Sequence, residues 1–462
     1  MLTSATDDDS RVSFWPRVRE FAVPASMIER ATARRTAGDW AGACAAAGIE
    51  VDLHVRSLAR AHGQQLATQL RADLRHLAPD LLRWHLPRIA PYGLLRPGLT
   101  IALARYGAAA RDGTSALYLV ARTVPAWADA GQRISLAVWD GSGGDPPGQR
   151  YSHPHPHPHP HPRFRFDLHR HLWDVRRVGE LSARSTAPGW SGPGGPAPGP
   201  VPYADLLRSV PDGHRLAVWR WAEEARLLLR ADGVADGPVL VRAGSRHRFL
   251  VAPDGTITPA GAARGGPVLP DAATWVLPDL ELLRAGAIDG DRLHPLVAAA
   301  LVPARHFSPT VVPDKGVGPR LVECRGAMHR IGLAGGVLAA LDHGPDEIRR
   351  EELLAELTGT PLPCLQAIDR AHRHPDCLAD IQERLRHGDT GGALTVVENL
   401  LGPGALLRDG ALREALESAA RQRVTYGLFR AGMSHPRSPW RERSRPLPPS
   451  GRRSRPRHAL LR

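Results

Sequence analysis

Two proline- and glycine-rich tracts set the strongest constraint on how this chain can fold. Residues 141–162 end in five consecutive His-Pro pairs that begin at His153, and residues 185–202 read STAPGWSGPGGPAPGPVP. Proline lacks an amide donor and glycine weakens any regular element, so neither tract is expected inside a core. The 462 residues then divide into a disordered arm (1–20) and an α+β unit (21–184) that carries the His-Pro loop as an insertion at 141–162. A linker (185–202), a larger α+β unit (203–432) and a basic disordered tail (433–462) follow. Both units are of ordinary domain size, large enough to bury a core each.

Within the first unit, Ala25 to Ala47 predicts two short helices around Gly38-Asp39. Leu58, His62, Leu66, Leu70, Leu74, Leu77 and Leu81 recur every three or four residues, the stripe of an amphipathic helix that starts at Val55 and is interrupted near Pro79. Three segments, Leu99–Tyr106, Ala116–Thr123 and Arg133–Trp139, place apolar side chains at every second position and predict an antiparallel meander. Arg163–Leu168 reads as a fourth strand. The fold class expected is α+β: N-terminal helices with a β-meander, then a unit with a duplicated hairpin and a helical C-terminal part.

The second unit opens with a helix near His214–Ala231 whose Leu216, Trp219, Ala222, Ala225 and Leu229 share a face, with Trp221 at the margin. Further helices are expected at Asp279–Arg284, Arg292–Leu301, Asp346–Leu357, Leu365–His372, Leu378–Arg386, Gly392–Leu400 and Ala411–Arg421. Residues 237–257, GPVLVRAGSRHRFLVAPDGTI, match residues 318–338, GPRLVECRGAMHRIGLAGGVL, at Gly-Pro, Leu-Val, His-Arg and the glycine of the second turn. Each copy predicts a small antiparallel meander that must pack on helices, because short hairpins alone are marginal in water. His247 and His329 fall at matching positions and are expected to share a packing role.

Composition narrows the function classes. Lys315 is the only lysine and Asn399 the only asparagine, beside 46 Gly and 43 Pro, which is the mark of GC-rich codon usage and makes arginine abundance a weak functional signal. The net charge is +13, but residues 433–462 hold nine Arg against one Glu. The basic excess therefore suggests nonspecific polyanion contact by the tail and no sequence-reading module. The opening MLTSATDDDS lacks the basic stretch of a secretory leader, and the longest apolar run, Leu296 to Val302, is far too short to span a bilayer. A cytoplasmic location and no membrane contact are expected. Cys44, Cys324, Cys364 and Cys377 include no C-x-x-C pair and read as buried thiols.

Candidate chemistry is sparse. Asp167, His169 and His171 resemble the D-x-H-x-H signature of metal-dependent amidohydrolases, which implies a hydrolytic zinc site with all three on one face of a strand. The same residues also read as the solvent face of an edge strand, and the later histidines and aspartate of a (β/α)8 barrel have no counterpart here. His153, His155, His157, His159 and His161 suit adventitious Ni²⁺ or Zn²⁺. Cys364, His372, His374 and Cys377 cluster as C-x7-H-x-H-x2-C, which is not a common zinc spacing. There is no P-loop, no H-E-x-x-H, no G-x-S-x-G and no G-x-G-x-x-G opening a helix. No catalytic residue is assigned. The reading is a non-catalytic interaction or scaffold protein with an unknown protein partner; the alternatives are a metal-dependent hydrolase at Asp167, His169 and His171, or a nonspecific nucleic-acid binder acting through the tail.

Overall fold

Glycine and proline punctuate the N-terminal helices in the computed structural model, which describes residues 14–107, 116–140, 155, 157–188, 210, 215–244, 246–261, 266–302 and 320–433. The arm expected over 1–20 gives way early: Phe14, Trp15 and Val18 are buried, and Phe14 and Val18 close over Gly93, where a Cβ would fall 2.5 Å from a Val18 methyl. A π-helical turn (Val18–Ala22) leads through extended Pro24 into α1 (Ala25–Thr36). Asp39 caps α2 (Trp40–Ala46) by accepting the Gly42 amide at 2.8 Å. After β1 (Ile49–Asp52), the leucine stripe does not run as one helix to Pro79. α3 (Val55–His62) stops at Gly63, whose φ of 91° suits glycine alone, and α4 (Gln64–His76) and α5 (Pro79–His85) follow. Leu70, Leu74, Leu77 and Leu81 are buried as their spacing predicts, whereas the break leaves His62 exposed.

β2 (Thr100–Tyr106), β3 (Leu117–Thr123) and β4 (Ile134–Trp139) form the expected antiparallel meander. β1 joins it in parallel, Ile49 opposite Ile134, so the sheet order is β1-β4-β3-β2. Alternation sends Ile101, Leu119, Ala121, Ile134 and Leu136 into a core shared with α4 and α5. Arg163–Leu168 does not form a fourth strand. Its contact with β2 is a single bridge at Arg165, flanked by buried Phe164 and Phe166, before the chain coils into a 3-10 turn (Arg170–Leu172). Part of the His-Pro run is also drawn inward, contrary to expectation. His155 is buried, its Nε2–H donating to the Thr123 carbonyl at 3.0 Å while Thr100 Oγ1 donates to the His157 carbonyl at 2.5 Å. Side-chain donors and acceptors satisfy what proline cannot.

Beyond α6 (Glu180–Ser185), α7 (Val218–Asp232) packs Val218, Trp221, Ala225 and Leu228 on a meander of β5 (Val239–Ala243), β6 (His247–Val251) and β7 (Ile257–Pro259). The helix begins later than its pattern suggests, and the two tryptophans exchange roles. Trp221 is fully buried with Nε1 donating to the Thr274 carbonyl, and Trp219 leans half-buried on the first core. α8 (Asp271–Thr274) is followed by α9 (Pro278–Arg284) and α10 (Pro295–Leu301), whose Leu280, Leu283, Val297 and Leu301 belong to the first core. The core therefore crosses the linker expected to separate two units. Buried polar pairs hold the crossing: Arg19 Nη2 to Asp279 at 2.7 Å, Trp84 Nε1 to Asp279 at 2.9 Å, and His294 Nε2 to Asp80 at 2.9 Å.

The second meander comprises β8 (Arg320–Cys324), β9 (Ala327–Ala334) and β10 (Val337–Ala340). Both matching segments are thus three-stranded and antiparallel, but their registers differ. β8 and β9 close through Arg325-Gly326, both at positive φ (56° and 80°), whereas Ala243 pairs with His247 across three residues. His247 accordingly sits beside its turn and His329 opposite Val322, which removes the shared packing role expected for them. α11 (Pro345–Thr358), α12 (Pro363–Arg373), α13 (Leu378–His387), α14 (Thr390–Leu401) and α15 (Ala411–Arg430) complete the α+β fold. Among the described residues no helix is long and apolar enough to cross a membrane.

Trp221→Ala is expected to lower the unfolding free energy by about 3–5 kcal/mol. Trp219→Ala, truncating a half-buried ring, should cost about 1–2 kcal/mol. Thermal unfolding of the two variants side by side checks the order; equal losses would contradict this packing.

Candidate functional site

Strand alternation turns Arg122 and Trp139 away from the core, toward the face of the sheet that the His-Pro run partly covers. Between them lies a groove of about 1370 Å³. It is lined by Asp52 of β1, His54 just before α3, His62 at the end of α3, Arg122 and Trp139 from the sheet, His157, His159 and His161 from the His-Pro run, and Arg96 and Trp127. The Trp139 ring meets His159 edge-on at 5.3 Å, and its Nε1 is buried without a hydrogen-bond partner among the described residues. Asp52 is engaged by Arg430 from α15. Burial pulls the Arg122 guanidinium below its ordinary range, with Asp52 acting against it. Burial, with Arg163 and Arg96 nearby, also pulls the His161 imidazole down.

The Asp167, His169 and His171 triplet does not lie along one strand face, because the chain turns and coils there; the His169 and His171 rings meet edge-on with centroids 5.8 Å apart, but Asp167 is drawn aside. Arg165 holds Asp167 at 2.9 Å. His169 donates from Nδ1 to the Arg165 carbonyl at 2.9 Å and brings Nε2 to 3.1 Å from Glu224. Glu224 also takes two bonds of 2.7 Å from Arg184. Burial pushes the Glu224 carboxyl up, but His169 and Arg184 outweigh it and hold it at about 2. His171 is buried, and burial followed by His169, Arg184 and Arg220 pushes its ring well below the imidazole range. Asp167 and His169 thus join an ion-pair network that ties the segment to α7, through Arg165 to Asp232 and through Glu224, while His171 Nδ1 is buried without a hydrogen-bond partner among the described residues. Glu224 was not predictable locally, since its pattern in α7 is that of a solvated charge beside Glu223.

The remaining candidates separate. His153 lies outside the described residues, and His155 is committed to backbone bonds. In the C-x7-H-x-H-x2-C cluster, His372 Nδ1 accepts the Arg408 amide at 3.4 Å and Cys377 is the N-cap of α13, while Cys364 lies against Cys324. Among the described residues one group of three metal-ligating side chains converges: Cys324, His343 and Cys364. No protein-family model, curated protein or solved structure matches the chain. The site's chemistry has to be read from its own residues.

Buried imidazoles make stability depend on pH. Burial lowers His85 to about 4, and His171 lies lower than its ordinary value too. An unfolded histidine titrates near about 6.5, so between these limits the unfolded chain binds more protons and stability rises with pH. Acidification from about pH 6.5 to about pH 4 should therefore lower the thermal midpoint, and His85→Gln should flatten that slope. A midpoint that rises on acidification would contradict the burial of these rings.

Proposed function

We propose that the protein is a non-catalytic interaction protein that takes an acidic segment of a partner protein along the His-Pro groove. The observation that carries this reading is the Trp139 indole N–H, buried on the wall of a groove rich in arginine and imidazole with no acceptor of its own among the described residues. A buried donor left unpaired is costly, and a carboxylate laid in the groove would satisfy it. Arg96, Arg122 and the histidines favour negative charge, and Trp127 and Trp139 offer apolar surface to the stem of a glutamate side chain. The His-Pro run stiffens one wall, so little conformational freedom is lost on binding.

Titration of the full chain with poly-L-glutamate, followed by tryptophan fluorescence at pH 8 and pH 6, tests this. Imidazoles gain charge on acidification, so affinity should rise toward pH 6. Trp139→Phe, which removes the donor and keeps an aromatic ring, should weaken binding by about fivefold, the equivalent of one hydrogen bond. Deleting residues 434–462, which lie outside the described residues, should leave affinity unchanged. Loss of binding on that deletion would assign the contact to the basic tail and overturn the groove.

A further inference from the structure

We infer that Cys324, His343 and Cys364 form a binding site for one divalent cation with an affinity for sulfur, for which zinc is the fitting ion. This site is independent of the groove. Cys324 ends β8, His343 lies between β10 and α11, and Cys364 stands in the first turn of α12, so the three are gathered from separate elements. Their ligating atoms all lie within 4.8 Å of one another. Tetrahedral zinc with bonds of about 2.0–2.3 Å sets its ligand atoms about 3.3–3.8 Å apart, so closure requires movement of about 1 Å.

The surroundings of His343 favour a metal over plain packing. Its side chain is 4% exposed and its Nδ1 lies 3.3 Å from Glu347 Oε1, which leaves Nε2 buried and without a hydrogen-bond partner among the described residues. A carboxylate on one ring nitrogen with the other directed to a metal is the recurrent arrangement that fixes tautomer and ring plane. Glu347 is itself 3.4 Å from Arg325, the residue after Cys324 in the left-handed turn, so the strand end and the carboxylate are positioned together. His329 stacks on the His343 ring at 4.3 Å with planes 13° apart, which holds the ring further.

Charge balance points the same way. Two thiolates and a neutral imidazole cancel a divalent cation, which removes the electrostatic penalty that an isolated buried ion would meet. The first meander closes the matching position with Ala243, also buried, so a cysteine is not needed there for packing. Three protein ligands leave one tetrahedral position open.

The test is titration of the reduced, metal-stripped full chain with Co²⁺, read by thiolate-to-cobalt charge-transfer absorption, to which the His-Pro histidines do not contribute. One equivalent should saturate the band. Cys324→Ser and Cys364→Ser should each abolish it, Cys44→Ser and Cys377→Ser should leave it, and Glu347→Gln should weaken binding by about 10–100-fold. Alkylation of the unmutated chain in mild denaturant, where transient opening exposes the buried thiols, guards against variants that fail to fold: one equivalent of Zn²⁺ should slow labelling of Cys324 and Cys364, mapped by mass spectrometry, and leave labelling of the partly exposed Cys377 as before. A band that survives either cysteine substitution, no band at all, or a Cys324–Cys364 disulfide formed in place of zinc protection would overturn the site.

Discussion

One guanidinium holds the molecule's parts in register. Arg83, at the end of α5, is fully buried and donates to four carbonyls: Ala22 at 3.0 Å, Ala47 at 3.4 Å, Gln132 at 3.2 Å and His387 at 2.5 Å. These belong to the π-helical turn, the end of α2, the loop before β4 and the end of α13. Burial lowers the group to about 10, with Asp389 acting against the shift, so it stays charged at neutral pH. A buried charge is tolerable only when its donors are occupied, and here the acceptors come from four separate segments, two of which also meet through Arg17–Glu383 and the Phe21–His387 ring stack.

That docking brings the C-terminal lobe to the rim of the groove. α15 has Leu412 at one end in a core with Cys324, Cys364, Ile368 and Ile381, and Tyr426 and Phe429 against Val124, Ala128 and Ala130 at the other. Its Arg430 reaches Asp52 on the groove wall, and Phe429 meets Trp127 edge-on at 5.7 Å. The Cys324, His343 and Cys364 cluster lies in the same lobe, with α15 packed on α12.

Local pattern carried much of the fold and little of the site. The meander strands and C-terminal helices were legible because alternation and helical spacing are properties of contiguous residues. β1 was not, because it is short and pairs in parallel with a strand distant in sequence. Nor was the membership of α9 and α10 in the first core, which depends on buried pairs such as Asp80 with His294 that no spacing announces. Trp219 and Trp221 were reversed because α7 has apolar residues on two neighbouring faces, and the buried one, Val218, Trp221, Ala225 and Leu228, is selected by tertiary contacts such as Trp221 Nε1 to the Thr274 carbonyl. The Asp167, His169 and His171 motif is not displayed along a strand because the chain coils there, with Asp167 paired to Arg165 and His169 to Glu224. Cys324 and His343 were invisible as partners of Cys364 because turns and strand pairing, not sequence proximity, bring them together.

Hydrogen exchange of the full chain against Arg83→Ala tests most directly whether this one side chain holds the lobe in place. Faster exchange in the last turn of α13 and the last two turns of α15, with β5 to β7 unchanged, is the result predicted. Unaltered protection of α13 and α15 in the variant would contradict it.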